Sequence, residues 1–144
     1  VRTAYFDASA LVKLVVDEAG SESAAVLWDG CGAAVTNRLT YPEVRAALSA
    51  ARRSHRITSA GLSQAETMWE EYWAGMVVVE LSAAIAQEAG ELAKRHRLGG
   101  ADAVHLATAQ ALDEPSLVVV AWDRRLHAGA RASGFAVAPA VLGP

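Results

Sequence analysis

Thr3-Ala4-Tyr5-Phe6-Asp7-Ala8-Ser9-Ala10-Leu11-Val12-Lys13-Leu14-Val15 changes its period part-way along. Thr3 to Phe6 is a short β-type run. Asp7-Ala8-Ser9 then turns the chain into a helix whose apolar residues, Leu11, Leu14 and Val15, fall three and four apart. The same handover from strand to helix recurs downstream. A helix is expected from about Ser21 to Trp28, a short strand over Ala33-Ala34-Val35-Thr36, and a helix from Thr40 to Arg53 through Val44, Ala47, Leu48 and Ala51. Another helix runs from about Ser59 to Trp73, with Leu62, Ala65, Trp69 and Trp73 on one face. Gly75 stops it, and Met76 to Val79 is the next strand. Ser82 to Arg97 is helical, closed by the turn pair Gly99-Gly100. A helix from Ala101 to Leu112, a buried strand from Leu117 to Ala121, a helix from Arg124 to Ala132 and a last strand from Phe135 to Val137 complete the order.

Strands alternating with helices predict right-handed crossovers and a mainly parallel sheet covered on both faces, an α/β fold. At 144 residues the chain fits a single domain spanning 1–144, large enough to bury a core without staples. It carries no repeats, low-complexity tracts or linkers. The apolar share of 53% and charged share of 20% suit a globular protein and exclude disorder. Cys31, the single cysteine, has no partner for a disulfide or a zinc site and reads as a buried small residue. The β-type run from Val1 to Phe6 is no signal peptide, and no apolar stretch approaches the roughly 20 residues that span a bilayer, so a cytoplasmic protein without a membrane partner is expected. The formal net charge of −3 is not the uniformly basic footprint of a nucleic-acid binder. The sign must be read locally, because cations bound by gathered carboxylates reverse the local charge.

Four acids stand at comparable places. Asp7 and Asp123 follow strands, Glu43 lies in the first turn of the helix after the second strand, and Asp102 opens the helix after Gly99-Gly100. Each has an ordinary explanation. Asp7 and Asp123 can cap helices, Asp102 can complement a helix dipole, and Thr40-Tyr41-Pro42-Glu43 matches a capping box. Together they point elsewhere. In an open parallel sheet, ligands bind beyond the carboxyl ends of the strands, where Asp7, Glu43 and Asp123 all fall. Carboxylates gathered there repel unless a cation neutralises them. An all-oxygen set favours a hard ion, Mg²⁺ or Mn²⁺, which lowers the pKa of bound water and so supplies a nucleophile for phosphodiester attack.

Four stretches carry a family resemblance: Tyr5-Phe6-Asp7-Ala8-Ser9-Ala10-Leu11, Tyr41-Pro42-Glu43-Val44-Arg45-Ala46-Ala47-Leu48, Gly100-Ala101-Asp102-Ala103-Val104-His105-Leu106-Ala107-Thr108-Ala109 and Trp122-Asp123-Arg124-Arg125-Leu126. In this order and spacing the chain resembles the PIN-domain family and, within it, VapC-type toxins of bacterial toxin–antitoxin pairs. The resemblance implies a three-layer α/β/α sandwich around a parallel sheet of about five strands and endonucleolytic RNA cleavage with a carboxylate-bound divalent metal. It also implies a homodimer and a small cognate antitoxin. Carried over by position, Asp7, Glu43, Asp102 and Asp123 form the acidic quartet. Asp7 and Asp102 are then the main Mg²⁺ ligands, Glu43 orients or deprotonates the attacking water, and Asp123 completes a second metal position or its outer shell. Ser9 bonds a carboxylate or a water. Ala121 departs from the family pattern, which often has a hydroxyl there.

His105, three residues past Asp102, shares its helix face and is expected to support the site rather than ligate metal. His55, His96 and His127 are expected to be solvated. Two basic runs, Arg52-Arg53 with His55-Arg56 and Lys94-Arg95-His96-Arg97, close helices and suit C-terminal dipoles. Arg97, Arg124, Arg125 and Arg45 are the candidates for holding RNA phosphates. Trp69 and Trp73, four apart, are core by default; the alternative is a groove for the antitoxin. Two other functions remain open: a housekeeping PIN nuclease without an antitoxin, and a PIN-fold binding module without catalysis. A small DNA-binding protein encoded immediately upstream would argue against the first. The presence of all four acids argues against the second, which a purified protein that binds no Mn²⁺ and cuts no RNA would favour.

Overall fold

Val118-Val119-Val120 forms β4 and is inserted beside the first strand of the chain rather than beside the third. In the computed structural model, which describes residues 2–144, Val1 lies outside the described residues. Among the described residues the order is β1 (Thr3–Phe6), α1 (Ala8–Val15), α2 (Ser21–Gly30), β2 (Ala33–Asn37), α3 (Thr40–Arg53), α4 (Ser59–Ala74), β3 (Val77–Val79), α5 (Ala83–His96), α6 (Gly100–Ala111), β4 (Val118–Val120), α7 (Arg124–Ala132) and β5 (Ala136–Ala138). The five strands are all parallel in the spatial order β3-β2-β1-β4-β5. Tyr5 stands level with Val35 on one side and Val119 on the other. The chain builds outward from β1 to β2 and β3, then returns to the other side of β1. The switch point therefore lies between β1 and β4, and Asp7 and Asp123 follow those two strands.

Period-two alternation in β1 assigns the layers. Ala4 and Phe6 point into a core shared with α1 to α4 through Leu11, Leu14, Val44, Leu48 and Trp69. Tyr5, between them, points into the opposite core with Leu92, Leu106, Leu117 and Leu126 of α5, α6, the β4 approach and α7. Each face of the sheet is thus covered, giving the α/β/α sandwich. Tyr5, Phe6, Leu11, Leu48 and Leu106 are all fully buried. Removing one such Leu to Ala costs about 2–5 kcal/mol.

Several local expectations change. α5 closes earlier than the glycine pair: Arg97 takes the left-handed conformation (φ 55°), and the Leu98 N–H donates to Ala93 O. Leu98 is buried, and this apolar anchor fixes the exit. Gly99 instead caps α6, with Gly100 its first residue. The capping box at Thr40 is not made, for α3 starts from Leu39 with no side-chain cap. Cys31 is only half-buried and sits 3.2 Å from Trp28 O; desolvation holds its thiol above the ordinary value. His127 is buried, not solvated, and bonds Pro139 O at 2.7 Å. His96 is half-buried, while His55 is exposed as expected.

Candidate active site

Ser9 joins the two strand ends at the switch point. Its hydroxyl lies 2.7 and 2.9 Å from the two carboxylate oxygens of Asp7, to which it donates, and accepts from the N–H groups of Trp122 (2.9 Å) and Asp123 (3.3 Å). One proton and two lone pairs suffice for those roles. Asp7 is 3% exposed and also caps α1, accepting from Ala10 N at 3.0 Å. Asp123 caps α7 through Leu126 N at 3.0 Å. Both capping explanations are therefore true, and neither uses the whole carboxylate.

Asp102, half-buried in the first turn of α6, faces the other acids. Its carboxyl is pushed up to about 6, first by desolvation and then by the negative charges of Asp123 and Asp7, with Asp123 also within hydrogen-bonding reach. Asp7 is likewise raised, mainly by burial; His105, the Ser9 hydroxyl and the Ala10 N–H pull the other way. Like charges forced together in a poorly solvated place raise one another in this manner.

Glu43 enters the group through a ring. His105, 1% exposed, places Nε2 2.7 Å from Glu43 Oε1 and Nδ1 2.7 Å from the Tyr5 hydroxyl. Burial alone pulls His105 down, but the Glu43 hydrogen bond and the charges of Asp7, Glu43 and Asp102 outweigh it and hold the ring above its ordinary value. Tyr5, Thr36, Asn37 and Thr108, none singled out by sequence, complete the buried polar floor. Asn37 Nδ2 donates to Thr108 Oγ1 at 3.0 Å, and Thr36 donates to Phe6 O at 2.7 Å. The polar pair Thr36-Asn37 at the carboxyl end of β2 was the available signal.

The donor set fits a hard divalent cation in chemistry: oxygens only, mutually repelling, one of them half-protonated near pH 6. Among the described residues, no three His, Cys, Asp or Glu side chains already stand as a completed metal cage.

A PIN domain model matches residues 4–131, from β1 to the last turn of α7. The chain belongs to the PIN domain family. It is 59% identical over 140 residues to ribonuclease VapC45 of Mycobacterium tuberculosis, covering 97% of each chain. Among solved structures it superposes on M. tuberculosis VapC20, a Sarcin-Ricin loop cleaving toxin, with a TM-score of 0.69 at 19% identity over 97% of this chain and 99% of that one. A toxin–antitoxin complex from Klebsiella pneumoniae gives a TM-score of 0.67 at 21% identity, with the same shares of the two chains covered.

The remaining candidates divide by their contacts. In this PIN domain, exposed Arg97, Arg124 and Arg125 line one cleft with His96, Ala128, Gly129 and Ala132, between the end of α5 and the start of α7. Arg124 also donates to Gly143 O. Arg45 is not free for a substrate, because its guanidinium lies 2.5 Å from Glu66 and 3.0 Å from the Tyr41 hydroxyl. Trp69 is fully buried and belongs to the core, so it is withdrawn as a contact for a partner. Trp73 is half-buried, packs on Tyr41 and Trp69, and lines an open groove with Arg38, Leu39, Pro42 and Leu81. No helix among the described residues is long and apolar enough to cross a membrane.

Proposed function

We propose that this PIN domain is a Mg²⁺-dependent endoribonuclease, with Mn²⁺ able to substitute, and the toxin of a toxin–antitoxin pair. The observation that carries the reading is the gathering of Asp102 with Asp123 and Asp7 at one edge of the sheet, where burial first and their charges next raise its carboxyl to about 6, with Glu43 held beside them by His105. Resemblance in sequence to a named ribonuclease and in fold to a toxin–antitoxin complex supports it. Asp7 and Asp102 would hold the metal, directly or through water, and Asp123 would extend the set. A bound divalent cation would neutralise the carboxylates, attract the phosphodiester and acidify an adjacent water. Glu43, with Oε1 taken by His105, has its other oxygen available and would orient or deprotonate the attacking water. Ser9 holds Asp7 in register with Asp123. Arg97, Arg124 and Arg125 bind phosphates flanking the cut, and the groove at Trp73 receives the antitoxin. The active form is a cytoplasmic homodimer.

The test is cleavage of total RNA by the purified chain with Mg²⁺, with Mn²⁺ and with EDTA, followed by mapping of the new ends. Discrete cuts that need metal and vanish in Asp7→Asn are expected. Cutting that is unaffected by EDTA, or undiminished in Asp7→Asn, refutes the assignment. Capture of a small protein encoded beside this one separates the toxin from a housekeeping nuclease.

A further inference from the structure

A continuous hydrogen-bonded chain runs from the sheet interior to the acid cluster: Tyr5 hydroxyl, 2.7 Å, His105 Nδ1, then His105 Nε2, 2.7 Å, Glu43 Oε1. Its two inner members are 0% and 1% exposed, whereas the Glu43 side chain is 26% exposed. The outer carboxylate is thus gripped from beneath, by a ring buried in the fold and bonded through both of its nitrogens. Tyr5 and His105 rings also meet edge to face, with centroids 5.7 Å apart.

With Glu43 ionised, each proton arrangement of the chain turns Nε2–H toward its carboxylate. The Tyr5 phenol carries one proton, which it can give to His105 Nδ1 at 2.7 Å or to a neighbouring hydroxyl. If it donates to Nδ1, the neutral ring carries its hydrogen on Nε2 and donates to Glu43. The Thr36 and Thr108 hydroxyls, both near the phenol, already donate to Phe6 O and Val104 O. The phenol can therefore turn its proton to one of them and accept from Nδ1–H. In that case a neutral ring would set a lone pair against the ionised carboxylate, so with Glu43 ionised the ring is the cation, again with Nε2–H toward Glu43. Glu43 Oε1 accepts from Nε2–H in both cases, and Oε2 has no protein partner among the described residues.

We propose that Tyr5 is a positioning residue of the reaction, acting through His105 to lock the Glu43 carboxylate with one oxygen bound inward and the other presented to water. This rests on the ribonuclease reading for its catalytic meaning, but its geometry does not. The contact joins residues 100 apart in sequence, and no spacing rule brings Tyr5 to notice.

The experiment compares the parent chain with Tyr5→Phe, Glu43→Gln and the double variant, each checked by thermal melting. Tyr5→Phe removes one oxygen and keeps the ring. It is expected to lower kcat for RNA cleavage by about 10- to 100-fold with KM within about twofold, and to cost nothing further in the Glu43→Gln background, since coupled residues are non-additive. The second readout needs neither RNA nor metal: the His105 Nε2–H resonance of ¹⁵N-histidine-labelled protein in EDTA. It is expected far downfield in the parent and shifted upfield in Tyr5→Phe. An unmoved resonance overturns the proposal, as does a Tyr5→Phe loss that persists undiminished on top of Glu43→Gln, which would mark a general structural defect. A parent that cuts no RNA removes the ribonuclease assignment alone, and the resonance still decides the role of Tyr5.

Discussion

Removing the charge of Asp102 should stabilise the protein while silencing it. The carboxyl titrates at about 6 in the fold against an ordinary 3.8. Between those two pH values the folded state holds a proton that the unfolded state has released. Stability therefore falls as pH rises through that window and stays depressed above it. If fully expressed, the displacement is worth about 3 kcal/mol. Asp102 is half-buried, and solvent screening reduces this to about 1–2 kcal/mol. Asp102→Asn keeps the shape, loses the repulsion from Asp123 and Asp7, and gains an amide that can donate to Asp123. In EDTA at pH 7.5 the variant should melt about 2–8 °C above the parent for a chain of this size. At pH 4.5, where the parent's Asp102 is largely protonated, most of the gain should be gone. Mg²⁺ or Mn²⁺ should raise the parent's melting temperature more than the variant's. The assay is thermal unfolding followed by circular dichroism at the two pH values, with and without metal. A variant that melts below the parent at pH 7.5, or a gain that persists at pH 4.5, would refute the claim that Asp102 is held among like charges.

Glu43→Gln should lower kcat by about 10²- to 10⁴-fold, the worth of a positioned proton acceptor, with KM little changed; steady-state cleavage of a short RNA measures both. Ser9→Ala strands the Trp122 and Asp123 N–H groups and should cost about 1–3 kcal/mol, read by urea unfolding, together with a loss of cleavage. Arg125→Ala should weaken RNA binding and flatten its salt dependence by about one in log–log slope, read by fluorescence anisotropy with the inactive Asp7→Asn chain. Trp69→Ala should cost about 3–5 kcal/mol as a core deletion. Trp73→Ala should instead weaken antitoxin capture by about tenfold or more with the fold intact, and equal effects of the two on melting would undo the distinction.

The order of elements was legible because it is written in local period: alternation in Tyr5-Phe6, three-and-four spacing in Leu11, Leu14 and Val15. Asp7, Glu43 and Asp123 were legible because strand-to-helix junctions of a parallel sheet all lie at one edge, whereas Asp102, which follows a helix-to-helix turn, entered the quartet through the family resemblance. What stayed hidden depends on contacts between distant segments. Tyr5 looks like any strand aromatic until His105 arrives from α6, and Arg45 looks free until Glu66 of α4 takes it. Trp69 and Trp73 share a helix face, yet only the packing of α3 decides that one is sealed and the other half-open. The exit of α5 was misplaced because a glycine pair is the stronger textual signal, whereas burial of Leu98 set the turn.

The bond from Ser9 to the backbone of Trp122 closes a loop of 113 residues. Asp102 and Asp123 both lie in the last third of the chain, and β4 can dock beside β1 only after residue 120 has been made. Such distant pairings form late. A polypeptide still emerging from its ribosome therefore has Asp7 and Glu43 but no finished acid cluster. For a protein proposed to cut RNA, this order of assembly keeps the machine that is making it, and the message being read, out of reach until β4 and Asp123 have been made.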